Sequence, residues 1–104
     1  MILYNVTVSI DPEIGDEWLN WMRSTHIPDV MATGCFLESR ISRINSEEEG
    51  GLTYSIMYLC LSQEKLDHYR DKHAPSLQKD HSDRYAGRFA AFRTLLSVIE
   101  EFKV

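Results

Sequence analysis

The sequence predicts an α+β domain in which two helices lie on one face of a four-stranded antiparallel sheet. Three observations predict it. Segments with strand and helix character follow one another in the order strand, helix, strand, strand, helix, strand. The first and third strand segments alternate with period two, so each has two distinct faces. At 104 residues the chain can bury one modest core, which places all six elements in a single domain over residues 1–104.

Residues 2–10 form the first strand. Ile2, Tyr4, Val6, Val8 and Ile10 share an apolar face, and Leu3, Asn5, Thr7 and Ser9 share a mixed one. Asp11-Pro12 ends it and opens a helix: Asp is a good N-cap, Pro suits the first helical position, and Glu13, Asp16 and Glu17 follow. Ile14, Trp18 and Trp21 recur at helical spacing to about Thr25, with the two tryptophans on the core side. Pro28 disfavours helical geometry at Ile27, so a break or kink is expected there. Residues 29–32 can add one turn, closed by Gly34 as a C-cap.

Residues 35–45 read as a second strand with charged faces, which suits a sheet edge. Residues 45–51, acidic and ending in two glycines, read as a solvated turn. Residues 52–62 are the third strand, with Tyr54, Ile56, Tyr58 and Cys60 on one face and Ser55, Met57, Leu59 and Leu61 on the other. The hairpin brings Cys35 near Cys60 or Leu61. Ser62 caps the next helix, which starts at Gln63, breaks at Ala74-Pro75 with Ser76 as a new cap, and ends near Gly87. A fourth strand is expected from about Phe92 to Glu100.

This order is the split βαβ, or ferredoxin-like, arrangement. Two helices cover one sheet face and leave the other open. That face carries Asn5, Thr7 and Ser9 beside Met57, Leu59 and Leu61. A half-apolar patch of this kind invites a partner, and the economical one is a second copy in a two-fold homodimer.

Composition narrows the function classes. A net charge of −5 with dispersed Lys and Arg argues against nucleic-acid binding. No apolar run approaches the roughly 20 residues that span a bilayer, and the N-terminus reads as no signal peptide, so a cytoplasmic location is expected. Two cysteines without Cys-x-x-Cys spacing read as reduced, buried thiols. There is no phosphate loop, nucleophile elbow or dinucleotide fingerprint, so no cofactor is expected. His68, His73 and His81 lack metal spacing: five residues set His68 and His73 about 140° apart on a helix, and Pro75 precedes His81. No metal site is expected.

Five residues carry candidate chemistry. His26 titrates near neutrality and could act as a general acid–base beside the first helix; it could equally cap the kinked helix end. Asp29 could orient His26 or cap the short turn. Arg93 lies within an apolar strand, where it must pair or snorkel; it could grip a ligand carboxylate or pair with an acid. Asn5 and Thr7 could add hydrogen bonds to the same cavity, or face a hydrated dimer interface.

The pattern Trp18-x-x-Trp21, His26-Ile27-Pro28-Asp29-Val30-Met31-x-Thr33-Gly34-x-Phe36, Tyr54-Ser55-Ile56-x-Tyr58 and Phe92-Arg93-Thr94 resembles a small uncharacterised bacterial, Bacteroidetes-type, domain-of-unknown-function family. More distantly the chain resembles the dimeric α/β-barrel superfamily, in which ferredoxin-like domains pair their sheets face to face. That superfamily includes monooxygenases of the antibiotic-biosynthesis type, EthD-like proteins, muconolactone-isomerase-like proteins and haem-degrading enzymes. His26, Pro28 and Gly34 match its loose pattern across the first helix and following loop. The resemblance implies architecture rather than one chemistry. The expected function is a homodimeric barrel that binds a small organic molecule, with His26 as the proton-transfer group of a cofactor-free enzyme. The alternatives are a non-catalytic binding or regulatory dimer and a purely structural dimer.

Overall fold

The computed structural model describes residues 1–45 and 51–104. Its sheet has four strands: β1 (Ile2–Ile10), β2 (Glu38–Arg43), β3 (Leu52–Cys60) and β4 (Phe89–Ser97). Their spatial order is β2-β3-β1-β4 and every pair is antiparallel. The helical elements are a 3₁₀ turn (Pro12–Ile14), α1 (Gly15–Trp21), a π-helical turn (Met22–His26), α2 (Ile27–Ala32), α3 (Gln63–Lys72) and α4 (Ala74–Tyr85). The fold is ferredoxin-like, as the order of segments predicts. The expected acidic turn falls largely on residues 46–50, which lie outside the described residues.

The period-two pattern of β1 and β3 sets the two faces. Tyr4, Val8 and Ile10 are buried with Tyr54, Ile56, Tyr58 and Cys60 beneath the helices. Trp18, Met22, Val30, Leu66, Tyr69, Ala74 and Tyr85 close over them. The register places Leu3, Asn5, Thr7 and Ser9 opposite Leu59, Met57, Ser55 and Thr53 on the other face. On β4 that face adds Phe92 and Leu96, 63% and 47% exposed.

Four expectations need correction. The chain stays helical past Ile27, whose φ and ψ are −63° and −44°. The turn before it widens, so the Ile27 N–H donates to the Met22 carbonyl five residues back. Proline in a helix forfeits an N–H bond and crowds the carbonyl four residues behind it. An extra residue in the preceding turn relieves both, so Pro28 opens α2 instead of breaking the helix. Gly34 does end it, at φ +75°.

The second correction concerns the break in the later helical region. It falls at His73, with φ −119°; Pro75 sits in the first turn of α4. Ser76 is not a cap, since its hydroxyl donates to the His73 carbonyl at 3.2 Å. Ser62 caps α3 as expected, accepting from the Lys65 N–H.

The third is β4, which starts three residues before the expected Phe92 and ends at Ser97. Gly87 at φ +76° and an Arg88-to-Tyr85 backbone bond turn the chain directly into the strand. β4 then follows β1 from Ile10 opposite Phe89 to Ile2 opposite Ser97, and runs out of partner there. Fourth, β2 is shorter than residues 35–45 because Cys35 and Phe36 turn into the core, each 6% exposed. Cys60 Sγ lies 3.5 Å from the Cys35 carbonyl, and both thiols are free.

Candidate functional site

A cavity of about 230 Å³ lies between the sheet and the helices. Its floor is the helix-facing side of β1, β3 and β4, including Tyr4, Tyr58 and Arg93. Its roof is Met22, His26 and Val30 from the first helical layer and Tyr69, Leu77, Gln78 and His81 from the second. Val6, Val8, Val30, Ile56 and Leu77 line it together with His26, His81, Arg93 and three tyrosines, so apolar and polar groups share the wall.

The π-helical turn places His26 here. It ends on His26, and the ring lines the cavity while stacking on Trp21 at 5.2 Å between centroids. His26 is therefore neither at a helix end nor capping one, because helix continues on both sides of it. Burial lowers its pKa, the nearby charge of Arg93 lowers it further, and Asp29 and Asp80 pull it back up. Asp29 lies inside the first turn of α2 rather than at an N-cap. It reaches His26 through charge.

Arg93 projects from the edge strand β4, and its Nε donates to the Tyr4 hydroxyl at 2.8 Å. Arginine ion pairs among the described residues are made by Arg84 and Arg88, not by Arg93. Tyr4 accepts from Arg93, which leaves its own O–H to donate. Burial pushes the Tyr58 and Tyr69 phenols well above their ordinary pKa, so both stay protonated.

The structure thus brings His26 and Arg93 together and separates Asn5 and Thr7 from them. Those two face the open side of the sheet. The Asn5 amide donates to Thr7 Oγ1 at 3.3 Å, and its Oδ1 accepts from Ser55 at 2.6 Å. The parity of β1 decides this: with Tyr4 and Val8 beneath the helices, Asn5 and Thr7 point the other way.

His81 completes the cavity and has no counterpart among the sequence candidates. Trp18 Nε1 donates to His81 Nε2 at 2.9 Å within the core. Indole nitrogen can only donate, so Nε2 is unprotonated and the proton sits on Nδ1. Burial, reinforced by His26 and Arg93, lowers the His81 pKa to about 4. The rings of His26 and His81 lie 5.7 Å apart. The signal was present in the sequence: Ala74, Leu77, His81 and Tyr85 follow one another at three- and four-residue steps, the inward stripe of α4.

A five-residue spacing sets His68 and His73 about 140° apart only on one continuous helix, and the helix breaks at His73. The two rings lie 5.4 Å apart.

Over residues 1–99 the chain matches the family described as a domain of unknown function (DUF4286). The chain belongs to that family. No curated protein matches it significantly. Solved structures of the same fold are similar at low identity. An ethyl tert-butyl ether D (EthD) family protein from Bacillus halodurans superposes with a TM-score of 0.68 at 16% identity, covering 95% of this chain and 100% of that one. A dimeric ferredoxin-like protein from an uncultured marine organism gives 0.68 at 14% identity, covering 100% of both chains. SnoaB, a cofactor-independent oxygenase from Streptomyces nogalater, gives 0.65 at 7% identity, covering 96% of this chain and 95% of that one. At such identities the likeness is one of fold. Among the described residues, no helix is long and apolar enough to cross a membrane.

Proposed function

We propose that this DUF4286 protein is a homodimer whose protomers each bind a small, ring-sized organic anion between sheet and helices, and that His26 exchanges a proton with it. One observation carries the reading: His26, His81, Arg93 and three tyrosines line a single cavity whose remaining wall is largely aliphatic. Its volume of about 230 Å³ lies below the roughly 300–1,000 Å³ of drug-sized sites, which favours a ligand of about one ring.

The roles follow from charge and protonation. Arg93 has guanidinium N–H groups to spare beyond the one given to Tyr4, so it can anchor a carboxylate or enolate oxygen. His26 is held towards its neutral form, and a neutral imidazole accepts a proton. Removing a proton from an acidic C–H or O–H of the ligand leaves an anion beside Arg93 and the Tyr4 hydroxyl. That pairing stabilises charge where it develops. The fold accommodates cofactor-free chemistry, since one protein of similar fold is a cofactor-independent oxygenase. The dimer reading rests on the exposed Phe92 and Leu96 of the open face and on a structural neighbour that is itself a dimeric ferredoxin-like protein.

The test is a turnover screen of small aromatic carboxylates, phenols and enolisable acids with wild type and His26→Ala. The expected outcome is a substrate whose turnover His26→Ala abolishes with binding and melting temperature retained. A variant that only melts earlier, with turnover per folded molecule unchanged, would overturn the proton-transfer role. Binding that survives without any turnover favours the non-catalytic dimer instead.

A further inference from the structure

We propose that Cys35, His68 and His73 form a site for one divalent transition-metal ion of the Zn²⁺ class. The ligand atoms of these three side chains all lie within 4.8 Å of one another. They come from three places in the fold: the loop after α2, the middle of α3, and the break between α3 and α4. Continuous helix would have pointed the two imidazoles apart. The break at His73 is what brings them together.

The site is built on fixed backbone with adjustable tips. The His73 N–H donates to the Tyr69 carbonyl at 2.9 Å, and its own carbonyl accepts from Ser76 Oγ and the Leu77 N–H. Its ring lies nearly parallel to that of Tyr69, 27° between planes. The Cys35 N–H donates to Thr33 Oγ1, and its carbonyl accepts from Cys60 Sγ. Among the described residues the Cys35 thiol makes one long contact, 3.8 Å, to the Thr33 carbonyl, which leaves its sulfur lone pairs to a metal.

The donor set selects the ion. One thiolate with two imidazoles suits a borderline-soft ion in tetrahedral geometry, and hard Ca²⁺ or Mg²⁺ would prefer oxygen. Zn–S and Zn–N bonds of about 2.3 and 2.0 Å put neighbouring ligand atoms roughly 3.3–3.5 Å apart. Rotation of the exposed His68 and half-buried His73 closes that gap. Three protein ligands leave a fourth position for water, with His68 on the solvent side. Tyr69 separates this cluster from the ligand cavity, of which it forms a wall, but metal binding does not depend on what that cavity holds.

The test uses Co²⁺ as a spectroscopic probe on the whole chain, with Zn²⁺ as competitor. The expected result is one Co²⁺ per chain with tetrahedral visible bands and a thiolate charge-transfer band, both displaced by Zn²⁺. Losing even an outer-shell partner of a metal ligand costs about 10- to 100-fold in affinity. His68→Gln should therefore weaken binding by at least about 100-fold while the far-UV circular dichroism stays unchanged; Cys35→Ser should remove the charge-transfer band. Because His68 is exposed, its variant tests the site even if Cys35→Ser fails to fold. Cobalt binding without the thiolate band, or undiminished in His68→Gln and His73→Gln, would overturn the proposal, as would no binding.

Discussion

His81 and Trp18 hold each other inside the core, and their bond exists only while His81 is neutral at Nε2. Its folded pKa, about 4, lies below the ordinary 6.5. Between those values the unfolded chain binds the proton and the folded chain refuses it. Stability is therefore fully present above about pH 6.5 and is lost as pH falls through 4. A shift of this size is worth about 3 kcal/mol at 1.36 kcal/mol per unit. Urea unfolding from pH 7.5 to 4.5 should show the loss. His81→Leu should flatten that dependence and, by leaving the Trp18 N–H buried without an acceptor, lower stability at pH 7.5 by about 1–3 kcal/mol. Burial also lowers the pKa of His26, and a pH–rate profile reads it: turnover through the proposed proton transfer to neutral His26 should fall as pH drops and be absent at every pH in His26→Ala.

At the scale of elements, two local deviations from regular helix make the site. The π-helical turn carries His26 to the cavity, and the break at His73 sets the direction of α4 and with it His81. Gly34 ends the first helical layer in the left-handed region, where an added Cβ would meet nothing within 4 Å. Gly34→Ala should therefore cost only the backbone term, about 1–2 kcal/mol by chemical denaturation. β1 and β3, the Ser62 cap and both left-handed glycines are legible in the sequence because they follow from period, capping chemistry and φ preference, each local; the ends of β2 and β4 are not, because they are set by Cys35 and Phe36 entering the core and by the length of β1. The π turn is not legible either: Pro28 signals a disturbed helix, but whether the chain breaks or widens depends on what the following turn can bury. Val30, 1% exposed, shows that it buries well. Arg93 stands out as a charged residue within an apolar strand, and His26 as a side chain that titrates near neutrality beside the first helix. His81 and the tyrosines do not, because a histidine at an inward helical position looks polar until the Trp18 N–H is placed opposite it. The period of β1 puts Asn5 and Thr7 on the open face of the sheet, and the cavity that holds His26 and Arg93 lies on the other.

At the scale of the molecule, the sheet divides two tasks. One face and its helices enclose the cavity; the other presents Phe92, Leu96 and Met57 around the Ser55–Asn5–Thr7 hydrogen bonds. Light scattering at micromolar concentration should give twice the chain mass, and Phe92→Asp should give a monomer by placing a charge in the interface. If the cavity takes a small organic anion on Arg93 beside His26, amide chemical-shift mapping with a panel of single-ring carboxylates and phenolates will show it. The expected result is a saturable shift confined to residues around Tyr4, His26, Tyr58, His81 and Arg93. It should weaken at least tenfold in Arg93→Gln, the roughly 1.5–3 kcal/mol of a charge-assisted bond, and vanish when Ala91→Trp fills the cavity. Shifts elsewhere on the molecule, or binding that Ala91→Trp leaves intact, would contradict it.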